Sequence, residues 1–217
     1  MNRRGLITGV GVVGMASLSG CLGVLGLDSH ESKPAGVDGS VLTNTGYQQT
    51  NVEQIGIEEE VDAVLYTETV RVTNYLTEHE KAIDLGPLGR QRAALFMVLT
   101  TPKVEIAGRE LNPVEEMSTD ELVSLVEDTY DDIGDITHEA DESMTILGNV
   151  TTVSQFNADA QFDGHDVDVC IHVSEAVQTD DDLVVAIGVY PEQTRDQEES
   201  NVASLMEGII EHAHDES

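Results

Sequence analysis

Three side chains that could do chemistry stand at alternate positions in the sequence: Asp168, Cys170 and His172. Alternate residues of a β-strand point to the same face, so these three side chains share one surface. A thiol near an imidazole suggests a nucleophile with its base, and adding a carboxylate suggests a metal site. However, same-face neighbours lie roughly 7 Å apart along a strand, too far for a direct thiol–imidazole hydrogen bond. A strand face covered by another element explains the same residues, because cysteine is often simply a small buried residue.

The strand that carries these residues is predicted from a turn. Asp163-Gly164 is a two-residue hairpin signal between two segments of alternating polarity. Counting outward from it gives an apolar face with the pairs Phe162–His165, Ala160–Val167, Ala158–Val169 and Phe156–Ile171. The other face then has the pairs Gln161–Asp166, Asp159–Asp168, Asn157–Cys170 and Gln155–His172. Because the two strands agree independently, the sequence predicts this register.

The polar face of this hairpin contains a candidate cation site. Asp159 lies opposite Asp168 in the predicted register, and like charges at such a position are destabilising. With Asp166, Asn157 and His172 nearby, the side chains offer ligands that a cation could use. A solvated acidic patch explains the same residues, and the sequence predicts no other cofactor.

A small basic group stands out in an acidic chain. Lys81, Arg90 and Arg92 flank the loop Leu85 to Gly89, whose glycines and proline indicate a shaped turn. Such a turn could present arginines to an acidic envelope protein, a phosphate or a glycan. Neutralisation of nearby acidic residues is the alternative.

A second hairpin is predicted at Gly148-Asn149, where Asn149-Val150-Thr151 matches the acceptor pattern for N-glycosylation. The pattern also occurs by chance. It makes Asn149 a candidate modification site on an exposed turn.

The N-terminus has the features of an export signal. Arg3 and Arg4 precede an apolar run, which fits a twin-arginine signal over residues 1–20. Leu18-Ser19-Gly20-Cys21 resembles a lipobox, in which Cys21 is lipidated and the chain is cut before it. The alternative is an uncleaved anchor, because residues 5–27 are long enough to span a bilayer. Either way, we predict a flexible tether over residues 21–40 and one domain over residues 41–214 on the outer face of the cytoplasmic membrane.

The charge of the chain indicates its environment. Of ten basic residues, eight remain after the loss of Arg3 and Arg4, against 42 acidic residues, a formal charge of −34. Such repulsion would destabilise a small domain in dilute buffer, whereas in molar salt the Debye length is only about 3 Å. The acids are spread along the chain, which is typical of a halophilic protein. The same charge excludes ordinary nucleic-acid binding, which needs a basic surface.

The remaining pattern predicts an α+β fold. A capping box at Ser118 and Glu121 starts a helix over residues 118–133, and a second helix is predicted over residues 200–213. Strands are predicted at Val70 to Leu76, Ala93 to Thr100 and Leu183 to Tyr190. We therefore expect an antiparallel sheet flanked by two main helices.

Several segments resemble an uncharacterised family of haloarchaeal twin-arginine lipoproteins. They are, besides the N-terminal signal, Ile83-Asp84-Leu85-Gly86-Pro87-Leu88-Gly89, Asn112-Pro113-Val114, Met117-Ser118 and Ala186-Ile187-Gly188-Val189-Tyr190-Pro191. The order of elements is also similar to PsbP-like proteins, which implies a sheet flanked by helices and a binding or assembly role. The family supplies no catalytic residues.

Together these observations favour a surface lipoprotein that binds or scaffolds another envelope component. The alternative is an enzyme or metal-binding protein that uses Asp168, Cys170 and His172. An open pocket around Cys170 would favour the alternative, and a Cys170 sealed beneath a helix would oppose it.

Overall fold

The computed structural model describes residues 29–63, 66–84, 86, 89–106, 109–110, 133–162 and 165–212. The strands in these ranges are β1 (Ser29–Glu31), β2 (Gly36–Val37), β3 (Gln48–Ala63), β4 (Tyr66–Asp84), β5 (Arg90–Pro102), β6 (Glu105–Ile106), β7 (Arg109–Glu110), β8 (Gly134–Ile146), β9 (Asn149–Phe162), β10 (His165–Ser174), β11 (Val177–Gln178), β12 (Asp182–Pro191) and β13 (Ile209–Ile210). The helices are α1 (Gly39–Thr45) and α2 (Arg195–Glu207), the latter preceded by a 3₁₀ turn at Glu192–Thr194.

Nine of these strands form one mixed sheet. Its main path runs β4-β5-β12-β10-β9-β8, while β11 pairs with β12. On β4, β3 occupies one side, and β1 and β5 follow each other along the opposite side. The pair β1–β4 is parallel, and the other pairs of the sheet are antiparallel. Within the described chain, β3 and β8 are therefore the two long edge strands of the sheet, and the short strands β1 and β11 also have a single partner each.

The sheet is apolar on both faces. One face packs against α1, β2 and α2, and the resulting cluster includes Phe96 and Val184 of the sheet and Leu205 of α2. The other face holds a second cluster built on Val169, Ile171 and Val185. All ten residues of β12 are buried, as expected for a central strand covered on both faces. Fully burying each such valine or leucine contributes roughly 1.5–3 kcal/mol.

Helix α2 packs very closely on the centre of the sheet. A Cβ atom built on Gly188 of β12 would lie 2.6 Å from Val202 Cγ1, so only glycine fits beneath the helix there. Buried on the helix face are Val202, Leu205 and Met206. Acidic residues Asp196 and Glu198 occupy the first turn, where the helix dipole favours negative charge.

The predicted fold class is wrong. The described chain is mostly β-sheet with one main helix, α2, rather than an antiparallel sheet flanked by two helices. The sequence pattern missed two long edge strands, β3 and much of β8, because their described residues are mostly exposed and polar and have no sustained apolar alternation. The predicted helix over residues 118–133 falls almost entirely outside the described residues.

The predicted helix over residues 200–213 is displaced. The observed helix begins five residues earlier, at Arg195, and ends at Glu207. Beyond Gly208, Ile209 pairs with Val37 and Ile210 with Gly36 as a short strand. A Cβ atom on Gly208 would lie 2.8 Å from Val41 Cγ2, so the helix stops where it meets α1.

The predicted β9–β10 register is confirmed in full. Every pair from Phe162–His165 to Gln155–His172 is observed, which places the apolar partners on one face. In the other hairpin the turn is shifted by one residue. Ile146 pairs with Asn149, so the two turn residues are Leu147 and Gly148.

The predicted tether overlaps folded structure. Residues 29–40 contain β1, β2 and the start of α1. Ser32 Oγ also donates to the carbonyl of Thr100 at 2.9 Å, which ties this segment to the sheet. Among the described residues, no helix is both long enough and apolar enough to cross a membrane.

Candidate functional site

Cys170 and His172 lie beneath the start of helix α2. Both are on β10 and face the helix, with exposed fractions of only 2% and 5%. Asp168 lies two residues earlier, where the strand extends into solvent, and its side chain is exposed. The three residues share one face as predicted, but the helix separates an exposed carboxylate from a buried thiol and imidazole.

The buried side chains bind their neighbours rather than each other. His172 Nε2 lies 2.8 Å from Tyr190 Oη, and Cys170 Sγ lies 3.8 Å from Asn157 Oδ1. Burial raises the pKa of Cys170, although nearby Arg195 opposes this effect. Burial lowers the pKa of His172 to about 4. The thiol is therefore protonated at neutral pH, whereas a nucleophilic cysteine needs an accessible thiolate.

Arg195, the first residue of α2, covers the cluster formed by Cys170 and His172. Its two terminal nitrogens donate to the two carboxylate oxygens of Glu139 on β8, each at 2.9 Å. One of them also donates to Asn157 Oδ1 at 2.6 Å. The paired arginine lowers the pKa of Glu139. From the sequence, an enzyme centred on Cys170 is predicted to have an open pocket around it. The structure instead buries Cys170 beneath a helix, which argues against such an enzyme.

Sequence reasoning missed three members of this cluster: Glu139, Tyr190 and Arg195. Tyr190 lies directly opposite Cys170 in the ladder, so a correct pairing of β10 with β12 would have found it. Arg195 carries one of the few positive charges of the chain, and that scarcity was the available signal. Glu139 has no local signal, because it is one of 42 acidic residues.

The candidate cation ligands do not converge. Asp159 and Asp168 are opposite each other and exposed, while Gln161 Nε2 donates to Asp166 Oδ1 at 3.0 Å. These residues line an open depression. His172 is buried beneath α2. In the ranges that the structure describes, no group of three or more His, Cys, Asp or Glu side chains is arranged to hold a metal ion.

The three basic residues near the Leu85 to Gly89 loop do not form one surface. Lys81 Nζ lies 2.6 Å from Glu198 Oε1, and this ion pair is largely buried. Arg92 is exposed and lies 3.0 Å from Glu80. Arg90 is exposed opposite Asp84 in the ladder. For Lys81 and Arg92 the geometry fits the neutralisation of nearby acids.

The Lys81–Glu198 pair includes a third buried group. Tyr47 Oη donates to Glu198 Oε2 at 3.1 Å, and Lys81 Nζ lies 5.6 Å from the centre of the Tyr47 ring. Burial, reinforced by the carboxylate, raises the pKa of Tyr47, so the phenol stays a donor. These contacts join α2 to β4 and to the short link between α1 and β3.

The two edges of the sheet have different geometry. Strand β8 pairs with β9 through two register shifts, between Gly134 and Thr137 and between His138 and Ala140. Strand β3 has one shift near its start, after which Asn51 to Ala63 pair with β4 without interruption. Arg195 bonds to the β8 edge. Among the described residues, the outer edge of β3 is not covered by another strand.

The predicted glycosylation site lies within the described residues, and the predicted signal and lipidation sites lie outside them. Asn149 is exposed at the start of β9. Arg3, Arg4 and Cys21 lie outside the described residues, so the predicted signal and lipidation are not tested by the structure.

Comparisons with known proteins place the chain in a family. A search of curated proteins gave no match. The chain is similar to the solution structure of cyanobacterial PsbP (CyanoP) from Synechocystis sp. PCC 6803. The match has 12% identity and a TM-score of 0.38, and it covers 83% of this chain and 93% of that one. This is a weak structural similarity, of the kind that the order of elements predicted. The family model described as Domain of unknown function (DUF6517) matches residues 34–210, and the chain therefore belongs to this uncharacterised family.

Proposed function

We propose that the protein is a lipoprotein on the outer face of a halophilic archaeon's cytoplasmic membrane, where it binds another envelope protein by strand addition to β3. The observation that carries the binding proposal is the uninterrupted ladder from Asn51 to Ala63 along an uncovered edge of the described sheet. An edge strand has a row of backbone N–H and C=O groups that can pair with another chain. Strand addition is a common mode of recognition, in which these groups supply the affinity.

The β3 edge has acidic charge but lacks the other usual protections against such pairing. Edge strands are commonly blunted by charged side chains, especially lysine, and by proline or bulges. From Asn51 to Ala63 the sequence has neither proline nor lysine, and the register does not shift. Ile57 is also 45% exposed, and among the side chains that the structure describes it shares this exposure with one other large apolar residue, Val150. Strand β8 also lacks proline and lysine, so the unshifted register and the exposed Ile57 are the features that distinguish β3 from it.

The charge of β3 selects the partner. Its residues include Glu53, Asp62 and the run Glu58 to Glu60, with no basic residue. An extended segment carrying lysine or arginine at the facing positions would place opposite charges across the new ladder, which stabilises pairing. A second copy fits less well. A two-fold arrangement centred on Gly56 would place Glu53 opposite Glu59 of the other chain.

The location is supported by the N-terminal sequence and by the position of β1. Arg3 and Arg4 with Cys21 have the pattern of an exported lipoprotein. Seven residues separate Cys21 from Ser29, so the eight steps between them reach at most about 29 Å if the link is extended. Lipid at Cys21 would hold the domain close to the membrane, where a partner in the envelope is within reach of β3. The excess of acidic residues supports a high-salt environment.

The test uses the full chain, expressed in a halophilic archaeal host with a photo-crosslinking residue at one of two positions. Gln54 reports on the β3 edge, and Glu142 reports on the β8 edge. We expect a specific adduct with another envelope protein at Gln54 and none at Glu142. The linked peptide should be extended and carry lysine or arginine.

Proline variants supply the matched control. In an antiparallel pair, neighbouring residues alternate between pointing their N–H into the ladder and away from it. Of Gln54→Pro and Ile55→Pro, one therefore breaks a bond to β4 and the other removes only an outward donor. The outward variant should fold normally, as judged by its thermal unfolding, and lose the adduct.

Four outcomes would overturn the proposal in different ways. Equal adducts at Gln54 and Glu142, or adducts that survive both proline variants, would exclude strand addition at β3. An adduct with a second copy would replace the basic partner with self-association. Loss of binding in Arg90→Glu, with β3 variants unaffected, would move the binding surface to the Leu85 to Gly89 loop. If Cys21→Ser remains attached to membranes as firmly as the wild type does, the lipid anchor is excluded.

A further inference from the structure

The turn between β8 and β9 fixes the direction of Asn149. Leu147 and Gly148 both have positive φ angles, 49° and 78°. This combination gives the tight turn that matches the twist of a hairpin. Leucine seldom adopts this conformation, but here its side chain packs against the core cluster beside Ile146. Asn149, opposite Ile146 in the ladder, is therefore held in one position at the tip of the hairpin.

The residues around Asn149 leave it accessible. Asn149 and Gly148 are exposed, and Val150 has an exposed fraction of 78%. Asn149 Nδ2 donates to the carbonyl of Leu147 at 3.4 Å and to that of Gln178 at 3.2 Å. The first is longer than the usual range for N–H···O hydrogen bonds, the second is at its upper limit, and both lie at the surface. The amide can therefore react without the loss of a buried contact.

We propose that Asn149 carries an N-linked glycan. Asn149-Val150-Thr151 is the single Asn-x-Ser/Thr triplet of the 217-residue chain, and it lies at this exposed turn. The glycan donor is a lipid-phosphate-linked or lipid-pyrophosphate-linked sugar. Asn149 Nδ2 bonds to the anomeric carbon and loses one proton to a base. The bond from that carbon to the phosphate oxygen breaks, and the phosphate leaves with its electron pair. The second N–H of Nδ2 remains and can keep one of the two carbonyl contacts.

Exposure of the acceptor asparagine on the folded protein is a second requirement, which the triplet sequence does not guarantee. A protein exported after folding can be modified only where its folded surface presents the acceptor. The hairpin tip meets this condition, because Asn149 and the two residues beside it are exposed. This inference rests on the surface location given under the proposed function.

The test is mass spectrometry of the full chain purified from membranes of a halophilic archaeal host. We expect a glycan mass on the peptide that contains Asn149. It should be absent from Asn149→Gln and Thr151→Ala, and retained in Thr151→Ser, which keeps the hydroxyl. Thermal unfolding of each variant shows whether the fold is intact, and Thr145→Ala, at an exposed position across the hairpin, is the control.

Surface labelling of intact cells separates the two proposals. A protein that is labelled at the surface but has an unmodified Asn149 would overturn the glycan proposal alone. A protein that is neither labelled nor modified would overturn both proposals. A glycan at Asn149 in a protein that gives no β3 adduct would support this inference and exclude only the binding mode.

Discussion

The two edges of the sheet are built from similar residues but have different surroundings. Both β3 and β8 are acidic, long and partly exposed. Strand β8 has two register shifts, and Arg195 of α2 bonds to Glu139 within it. Strand β3 runs regularly from Asn51 to Ala63 and, in the described chain, pairs with β4 alone. The comparison shows that two strands of similar acidic composition can differ in regularity and in their contacts with the rest of the fold. Two register shifts and the bonds from α2 are found along β8, and the described part of β3 from Asn51 to Ala63 has no register shift.

Helix α2 explains much of this asymmetry. Through Glu198 it binds Lys81 on β4, and through Arg195 it binds Glu139 on β8. Its close approach over Gly188 fixes its position between these two anchors. The helix therefore covers the sheet from β4 to the β8 edge, and β3 lies beyond its anchors.

Removing the anchor on β4 should have the largest effect. Lys81→Met leaves the carboxylate of Glu198, which is only 2% exposed, without its cation. Breaking a buried ion pair by removing one partner typically costs about 3–5 kcal/mol of unfolding free energy. The measurement is chemical unfolding in high salt. The double variant Lys81→Met/Glu198→Gln should recover most of the loss, because no unpaired charge is then buried.

The control for this prediction is Arg92→Met. Arg92 also pairs with a glutamate, but its side chain is 73% exposed, so the loss should stay below about 1 kcal/mol. Equal losses in Lys81→Met and Arg92→Met would show that Lys81 is not an anchor of α2.

Lowering the pH should have an intermediate effect on the free energy of unfolding, through His172 in the buried cluster near β8. The pKa of His172 is lowered to about 4 in the folded protein, below the ordinary value of 6.5. The unfolded chain therefore binds more protons than the folded chain between these values, and stability falls as pH falls from 6.5 toward 4. From pH 7 to pH 5 the loss from this group is about 2 kcal/mol.

His172→Gln should flatten this pH dependence in part. His79, also buried, has a lowered pKa as well, so some of the slope should remain. Unfolding curves of the wild type and the variant at pH 7, 6 and 5 measure the difference. Identical slopes would show that His172 is not held neutral by burial.

The smallest effect should come from the anchor on β8. Arg195→Met removes both bonds to Glu139 and the bond to Asn157, which are partly solvent-accessible. We expect a loss of about 1–2 kcal/mol, because hydrogen bonds of charged groups contribute more than neutral ones. Hydrogen exchange should increase along β8 and stay unchanged along β3. An equal increase at both edges would contradict the asymmetry.

Part of the fold could be predicted because it depends on local pattern. The register from Phe162–His165 to Gln155–His172 follows from one turn and two alternating strands, and no distant residue can change it without reversing both faces. The buried run in β12 was recognised for the same reason. The fold class was wrong because β3 and β8 are mostly exposed and lack a sustained apolar alternation, and because Ile209 and Ile210 continue an apolar stripe after the helix has ended.

The sequence by itself determined which side chains share a face of the central hairpin, and it determined the acidic character of the surface. Only the tertiary structure decided what those faces meet. The cover over Cys170 and His172 comes from α2, whose bonds join Lys81 to Glu198 across 117 residues and Glu139 to Arg195 across 56. Turn type and alternation are local properties of the chain, whereas burial, pairing of charges and the exposure of an edge depend on elements that are distant in sequence.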